Sequence, residues 1–157
     1  MSEVVYMTVE SVRELEKELR ELKTKGRKEI ARKIADARSH GDLSENAEYD
    51  AAKHAQELLE IKISKLATTL GKVQVITPEE MPEGKVYILS KVKLKNKMNG
   101  ATFDYLLVSP EEADFEKKKL SVDSPIGKAL MGKEVGDTAI IKAPAGNIEY
   151  EVLEISR

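Results

Sequence analysis

The chain has 157 residues, 41% hydrophobic and 34% charged, with 26 basic against 28 acidic side chains and only 4% aromatics. With charge so nearly balanced, bulk electrostatics does not announce a nucleic-acid binder, and the absence of cysteine excludes disulfides and thiolate metal sites, which fits a reducing cytosol. No run approaches ~18 uninterrupted apolar residues, and Met1-Ser2-Glu3-Val4 starts no basic-then-apolar leader, so neither a membrane span nor a signal peptide is expected.

Thr8 reads as a helix N-cap, with Tyr6 and Met7 before it to pack the helix start. Leu15, Leu19, Leu22, Ile30, Ile34 and Ala37 then recur at steps of three and four, one stripe of a helix. Gly26 falls on that stripe and suits either a close helix approach or a small bend. Gly41 is the expected stop. The segment predicts ~30 residues and ~45 Å of helix at 1.5 Å per residue. Ala52, Gln56, Leu59, Ile63, Leu66 and Leu70 mark a second stripe, closed by Gly71. Two segments of similar length joined by a few residues must run antiparallel. Neither stripe is buried alone, so an antiparallel coiled-coil hairpin is expected.

From Lys72 the period changes from 3.6 to 2. Val73 to Ile76 leads into Thr77-Pro78 and Met81-Pro82, read as a linker or strand end. Val86 and Ile88, then Val92 and Leu94, alternate as strands do. Asn99-Gly100 marks a tight turn before Phe103, Tyr105 and Leu107. Ser124 caps a short helix with Pro125 in its first turn, and Gly132 ends it. Thr138–Ile141 and Ile148–Leu153 form a last strand pair around Pro144 to Asn147. The fold class is therefore α+β, with a helical hairpin over residues 1–76 and a small α+β domain over 77–157.

Charge is uneven within the balanced total. Residues 20–38 hold eight basic and three acidic side chains, and residues 39–60 hold one basic and six acidic. At ~100° per residue Arg20, Lys23, Arg27 and Arg38 share one flank. Such a flank suits a polyanion backbone. It equally suits a solvated helical surface laced with interhelical ion pairs.

At the bend, Asp42-Leu43-Ser44-Glu45 has the form of a capping box, a structural role that needs no ligand. Two carboxylates at i and i+3 also converge on a hard cation such as Mg²⁺, which takes one or two protein carboxylates and shares phosphate oxygens. Glu48 and Asp50 follow, more acids than one cap requires. His40 and His54 lack a metal-pair spacing, and Tyr49 suits packing near the tip or contact with a nucleic-acid base.

Residues 35–53, Ala-Asp-Ala-Arg-Ser-His-Gly-Asp-Leu-Ser-Glu-Asn-Ala-Glu-Tyr-Asp-Ala-Ala-Lys, closely resemble the tip motif of bacterial Gre transcript-cleavage factors of the GreA type. Residues 111–115, 121–133 and 142–146 resemble the C-terminal signatures of that family, so the resemblance spans the chain in order. It implies an FKBP-like C-terminal domain that binds RNA polymerase, and a coiled coil that enters the polymerase secondary channel. Asp42 and Glu45 would be the catalytic and metal-binding acids. They would help hold a Mg²⁺ shared with the polymerase and position a water, while the polymerase itself cleaves backtracked RNA. Arg38 and Lys53 match positions that face the nascent RNA 3′ end, though Lys53 stands where arginine is common. Asp123 and Pro125 match the polymerase-docking region. Asp123 could equally cap a loop, and Pro125 fits a helix start without any partner. The resemblance further implies a cytoplasmic, monomeric protein with a DNA-binding classification, no turnover of its own and no membrane association.

Gre-like channel-binding inhibitors of the polymerase share this scaffold, but the Asp-Leu-Ser-Glu tip has the cleavage-competent pattern. A stand-alone nuclease would need an enclosing cleft, a base and more ligands than two acids. Prolyl isomerase activity would rest on fold analogy alone.

Overall fold

The computed structural model describes residues 4–41 and 46–157. The chain divides into two compact units, Glu10–Lys72 and Met1–Val9 together with Val73–Arg157. The expected boundary was 76/77; here the helical unit ends at Lys72, and both Met1–Val9 and the chain from Val73 group with the sheet unit.

In the helical unit, α1 (Val9–Glu21), a π-helical turn (Leu22–Gly26) and α2 (Arg27–Arg38) follow without a break. Apolar spacing explains the π turn. Continuing Leu15, Leu19, Leu22 and Gly26 by alternate threes and fours would lead to Glu29, Lys33 and Asp36, all exposed. The residues actually half-buried or buried are Ile30, Ile34 and Ala37, one position later. A π turn takes up one extra residue and restores the stripe. It also rotates everything after it by roughly one residue's ~100°. Arg27 and Arg38 are therefore turned by about that angle away from Arg20, and the single basic flank expected from uniform spacing does not hold for all four residues.

Helix α3 (Ala47–Gly71) returns antiparallel to this first arm. Ion pairs Arg27–Glu60 at 3.0 Å and Glu18–Lys62 at 3.5 Å bridge the arms. The stripe on α3 is the expected one: Ala52 and Ile63 are buried, and Gln56, Leu59, Leu66 and Leu70 are half-buried. Ala37, Ala52 and Ile63 are the fully buried residues of the helices, so the seam is narrow. A side chain at Gly26 would come within 3.2 Å of Leu59 Cδ1, so this glycine marks a close helix approach.

In the other unit, β1 (Val5–Met7) and β2 (Val73–Val75) pair in parallel, with Val5 opposite Val73 and Met7 opposite Val75. Val5–Met7 was expected to lead into a helix, since so short a strand shows no period, whereas Val73–Val75 lies where the period changes to 2, in a stretch read as a linker or strand end. A five-stranded sheet follows in the order β5-β4-β3-β7-β6, built from β3 (Lys91–Asn96), β4 (Thr102–Val108), β5 (Lys119–Ser121), β6 (Thr138–Ala143) and β7 (Gly146–Ser156). All pairs are antiparallel except β4 with β5. In β3 the alternation Lys-Val-Lys-Leu-Lys buries Val92 and Leu94 and leaves Lys91 and Lys95 exposed. With Leu107, Leu120, Leu130, Ala139 and Val152 they form the main core, closed by α4 (Pro125–Leu130). Each fully buried leucine contributes about 1.5–3 kcal/mol.

Two local expectations are corrected. Val86 to Ile88 forms no strand; Val86 N–H donates to Lys133 O at 2.9 Å, beside an isolated bridge between Lys85 and Glu134. Asn99-Gly100 lies in a longer loop between β3 and β4, where Gly100 N–H donates to Asn96 O at 2.8 Å. Strand β5 was not anticipated. Among the described residues no helix is long and apolar enough to cross a membrane.

Candidate functional site

The hairpin bend is assembled from both helix ends. At the end of α2 the N–H groups of Ser39 and His40 donate back to Asp36 O and Ala37 O at 3.1 and 3.2 Å. Gly41 then takes φ +118°, a conformation that glycine adopts at no steric cost. Asp42 and Glu45, the two candidate catalytic and metal-binding acids, lie outside the described residues.

The chain rejoins the described part at Asn46, which is the N-cap of α3. Asn46 Oδ1 accepts from Tyr49 N–H at 3.1 Å, and its Nδ2 donates to Ala37 O at 2.6 Å. One amide side chain thus caps the start of α3 and gives a second hydrogen bond to the Ala37 carbonyl at the end of α2, which also accepts from His40 N–H. Asn46 is the N-cap of α3, and Asp42-Leu43-Ser44-Glu45, read as a capping box, lies outside the described residues. Asn46 could have been found by extending the α3 stripe back from Ala52, which leaves an N-cap residue just before Ala47. Glu48 and Asp50 occupy the first turn, where the helix dipole favours acids. Glu48 Oε2 lies 2.5 Å from His40 Nδ1, so His40 is a turn residue tied to α3.

Arg38 is exposed, with its guanidinium carbon 6.0 Å from the Tyr49 ring centroid, a cation–π contact. Lys53 is exposed and donates from Nζ to Gln56 Oε1 at 2.9 Å. Among the described residues neither has a carboxylate partner within ion-pair distance. Of the eight basic residues between 20 and 38, Arg27 alone is ion-paired among the described residues. Its hydrogen bond holds the Glu60 carboxyl below the usual range, against a smaller opposing effect of desolvation. Interhelical ion pairing therefore accounts for little of the basic arm.

In the sheet unit, Asp123 and Pro125 are both exposed at the start of α4. Asp123 N–H donates to Ser121 Oγ at 3.1 Å. Ser124 caps α4 by accepting from Gly127 N–H at 3.0 Å, and Pro125 stands in its first turn as expected.

A helical hairpin with acids at its bend, followed by a small sheet domain, defines an α+β protein of two parts. Residues 5–75 match the family model described as "Transcription elongation factor, N-terminal", and residues 81–157 match "Transcription elongation factor, GreA/GreB, C-term". The chain is 51% identical to transcription elongation factor GreA of Amoebophilus asiaticus, over 99% of each chain. It is 50% identical to GreA of Christiangramia forsetii and 48% identical to GreA of Flavobacterium johnsoniae, in each case over 100% of this chain and 99% of the relative. The chain belongs to the GreA/GreB family of transcription elongation factors, and to its GreA type.

Proposed function

We propose that this chain binds RNA polymerase through its sheet unit and inserts the helical hairpin, as a coiled coil, into the secondary channel. There it stimulates the polymerase's own cleavage of backtracked RNA, so that arrested complexes resume. The chain has no turnover alone. Asp42 and Glu45 supply carboxylate oxygens to a Mg²⁺ shared with the polymerase active centre, and their i, i+3 spacing and hard-oxygen chemistry suit that cation. When bound, Mg²⁺ lowers the pKa of an attacking water and stabilises the displaced oxygen of the phosphodiester. The acids orient that water. Arg38 and Lys53, exposed and without carboxylate partners among the described residues, hold the phosphates of the RNA 3′ end. Asp123 and Pro125 form the polymerase-docking edge. Such a factor works as a monomer in the cytoplasm.

Family membership over nearly the whole chain carries this reading. The cap made by Asn46 adds to it, because α3 does not need Asp42 for that purpose. The test is a stalled, backtracked elongation complex with Mg²⁺. Asp42→Ala with Glu45→Ala is expected to lower stimulated cleavage by roughly a hundredfold, while still competing for the polymerase. Wild-type cleavage by the double variant would refute the assignment. Inhibited synthesis without cleavage products would instead indicate a channel-occupying regulator, a reading that the GreA-type relatives do not favour.

A further inference from the structure

Strand β3 reads Lys91-Val92-Lys93-Leu94-Lys95. Its valine and leucine take the core face, so its lysines stand on the opposite face of the sheet. Strand pairing fixes what lies beside them. Lys93 stands between Asp104 of β4 and Glu154 of β7, and Lys91 stands between Leu106 and Ser156, which carry no charge. The loop from β4 to β5 adds Lys117 and Lys118. Together these lysines and the two acids line an open cleft of about 360 Å³, the size of a small-molecule site.

Among the described residues none of the four lysines reaches a carboxylate within ion-pair distance, although Lys93 has an acid on either side in register. Backbone hydrogen bonds hold the loop. Asp114 and Lys119 each donate an N–H to the other's carbonyl, at 3.0 and 2.9 Å. Lys118 sits at φ +58°; its N–H donates to Phe115 O, and its carbonyl accepts from Leu106 N–H, each at 3.0 Å. Glycine takes that φ without steric cost, yet the position carries a lysine. Hydrogen-bonded backbone thus brings cations from a strand and a loop to one concave place. Like charges gathered in this way attract an anion between them.

We propose that this cleft binds a nucleoside diphosphate. The proposal stands apart from the function proposed above, since it uses no residue of the hairpin. Lys91, Lys117 and Lys118 hold the phosphates. Asp104 and Glu154 lie one two-residue step along the strands from the Lys91 row, roughly 7 Å, where they accept from the ribose hydroxyls. Lys93 between them offsets their charge. The same acids disfavour a continuous nucleic-acid strand, whose next phosphates would meet them. An inorganic phosphate would leave them unused.

The test titrates ADP into the isotope-labelled full chain at about 0.15 M salt and follows the amide resonances. Saturable shifts are expected at residues 91–93, 104–106, 117–118 and 154–156. Adenosine should give none, and inorganic pyrophosphate should bind at the same residues more weakly than ADP. Lys91→Gln should weaken ADP about tenfold. Lys118→Gly removes the charge and suits the backbone, so it should weaken ADP by a similar factor while the melting temperature stays close to wild type. A lysine with only a structural role would not separate the two readouts in this way. The proposal is overturned if ADP gives no saturable shift, or if both variants bind it as wild type does. It is equally overturned if pyrophosphate binds as tightly as ADP, or if a single-stranded RNA oligomer occupies the cleft more tightly than ADP.

Discussion

The Tyr6 backbone N–H donates to Ser109 Oγ at 3.1 Å, joining residues 103 positions apart in the chain. Ser109 is buried, and its hydroxyl also lies 3.5 Å from Tyr6 O. This clasp, with the β1–β2 pairing, explains why the first residues group with the sheet unit. Ser109→Ala leaves the Tyr6 N–H without its acceptor, at a cost of about 1–3 kcal/mol. Urea denaturation should show the loss, and the Tyr6 amide should exchange faster. Unchanged exchange at Tyr6 would mean that the clasp does not form in solution.

Gly127 sets the geometry at the start of α4. A Cβ there would lie 2.1 Å from Ser121 O and 3.0 Å from Ser124 Oγ. The nearer obstacle is backbone, which cannot swing aside as a side-chain end can. Gly127→Ala should therefore displace α4 or β5 at a cost of about 3 kcal/mol. If Asp123 and Pro125 dock on polymerase, the same variant should weaken polymerase binding under conditions where it remains folded. Full stability in a denaturant titration would show that α4 can shift freely.

Long stripes made the hairpin legible, since 3.6-residue periodicity repeated over many turns leaves little choice of partner face. The π turn was latent in the same spacing. Gly26, Ile30 and Ile34 are each four residues apart, one residue more than alternate threes and fours allow. A uniform 100° per residue hid it and put Arg20 and Arg38 on one flank. Ser124 and Pro125 were readable because helix starts depend on local chemistry. β1 and β5 were not, because each is three residues long and is defined by a distant partner, and β2 showed only as the change to period 2 after Lys72. Asn46 was overlooked because Asp42-Leu43-Ser44-Glu45 offered a complete capping pattern four residues earlier.

Gly26 and Leu59 test the π turn. Alanine gains about 1 kcal/mol of helix propensity over glycine. Against this stands a 3.2 Å approach to a leucine methyl, the far end of a half-buried side chain that can yield. Gly26→Ala is thus expected to raise the melting temperature slightly. Gly26→Leu should lower stability by about 1–3 kcal/mol, because its bulk must part the helices. A large loss with alanine would show that the close approach at this turn has no slack.

Arg27 and Glu60 give the hairpin a pH dependence of known sign. Arg27 donates from Nε and Nη2 to the two Glu60 oxygens, each at 3.0 Å. The Glu60 carboxyl is held below its ordinary value, first by this hydrogen bond and then by the guanidinium charge, with desolvation opposing. A carboxyl with a lowered folded-state pKa adds stability above its unfolded pKa and loses it as pH falls through the folded one. Both side chains are about half exposed, so solvent and salt screen the pair and the increment is small. Melting temperatures followed from about pH 7 to about pH 3 should start higher for the wild type than for Glu60→Gln. The two curves should converge in acid, and added salt should narrow the gap at neutral pH. Parallel curves across that range would show that the pair contributes nothing to folding.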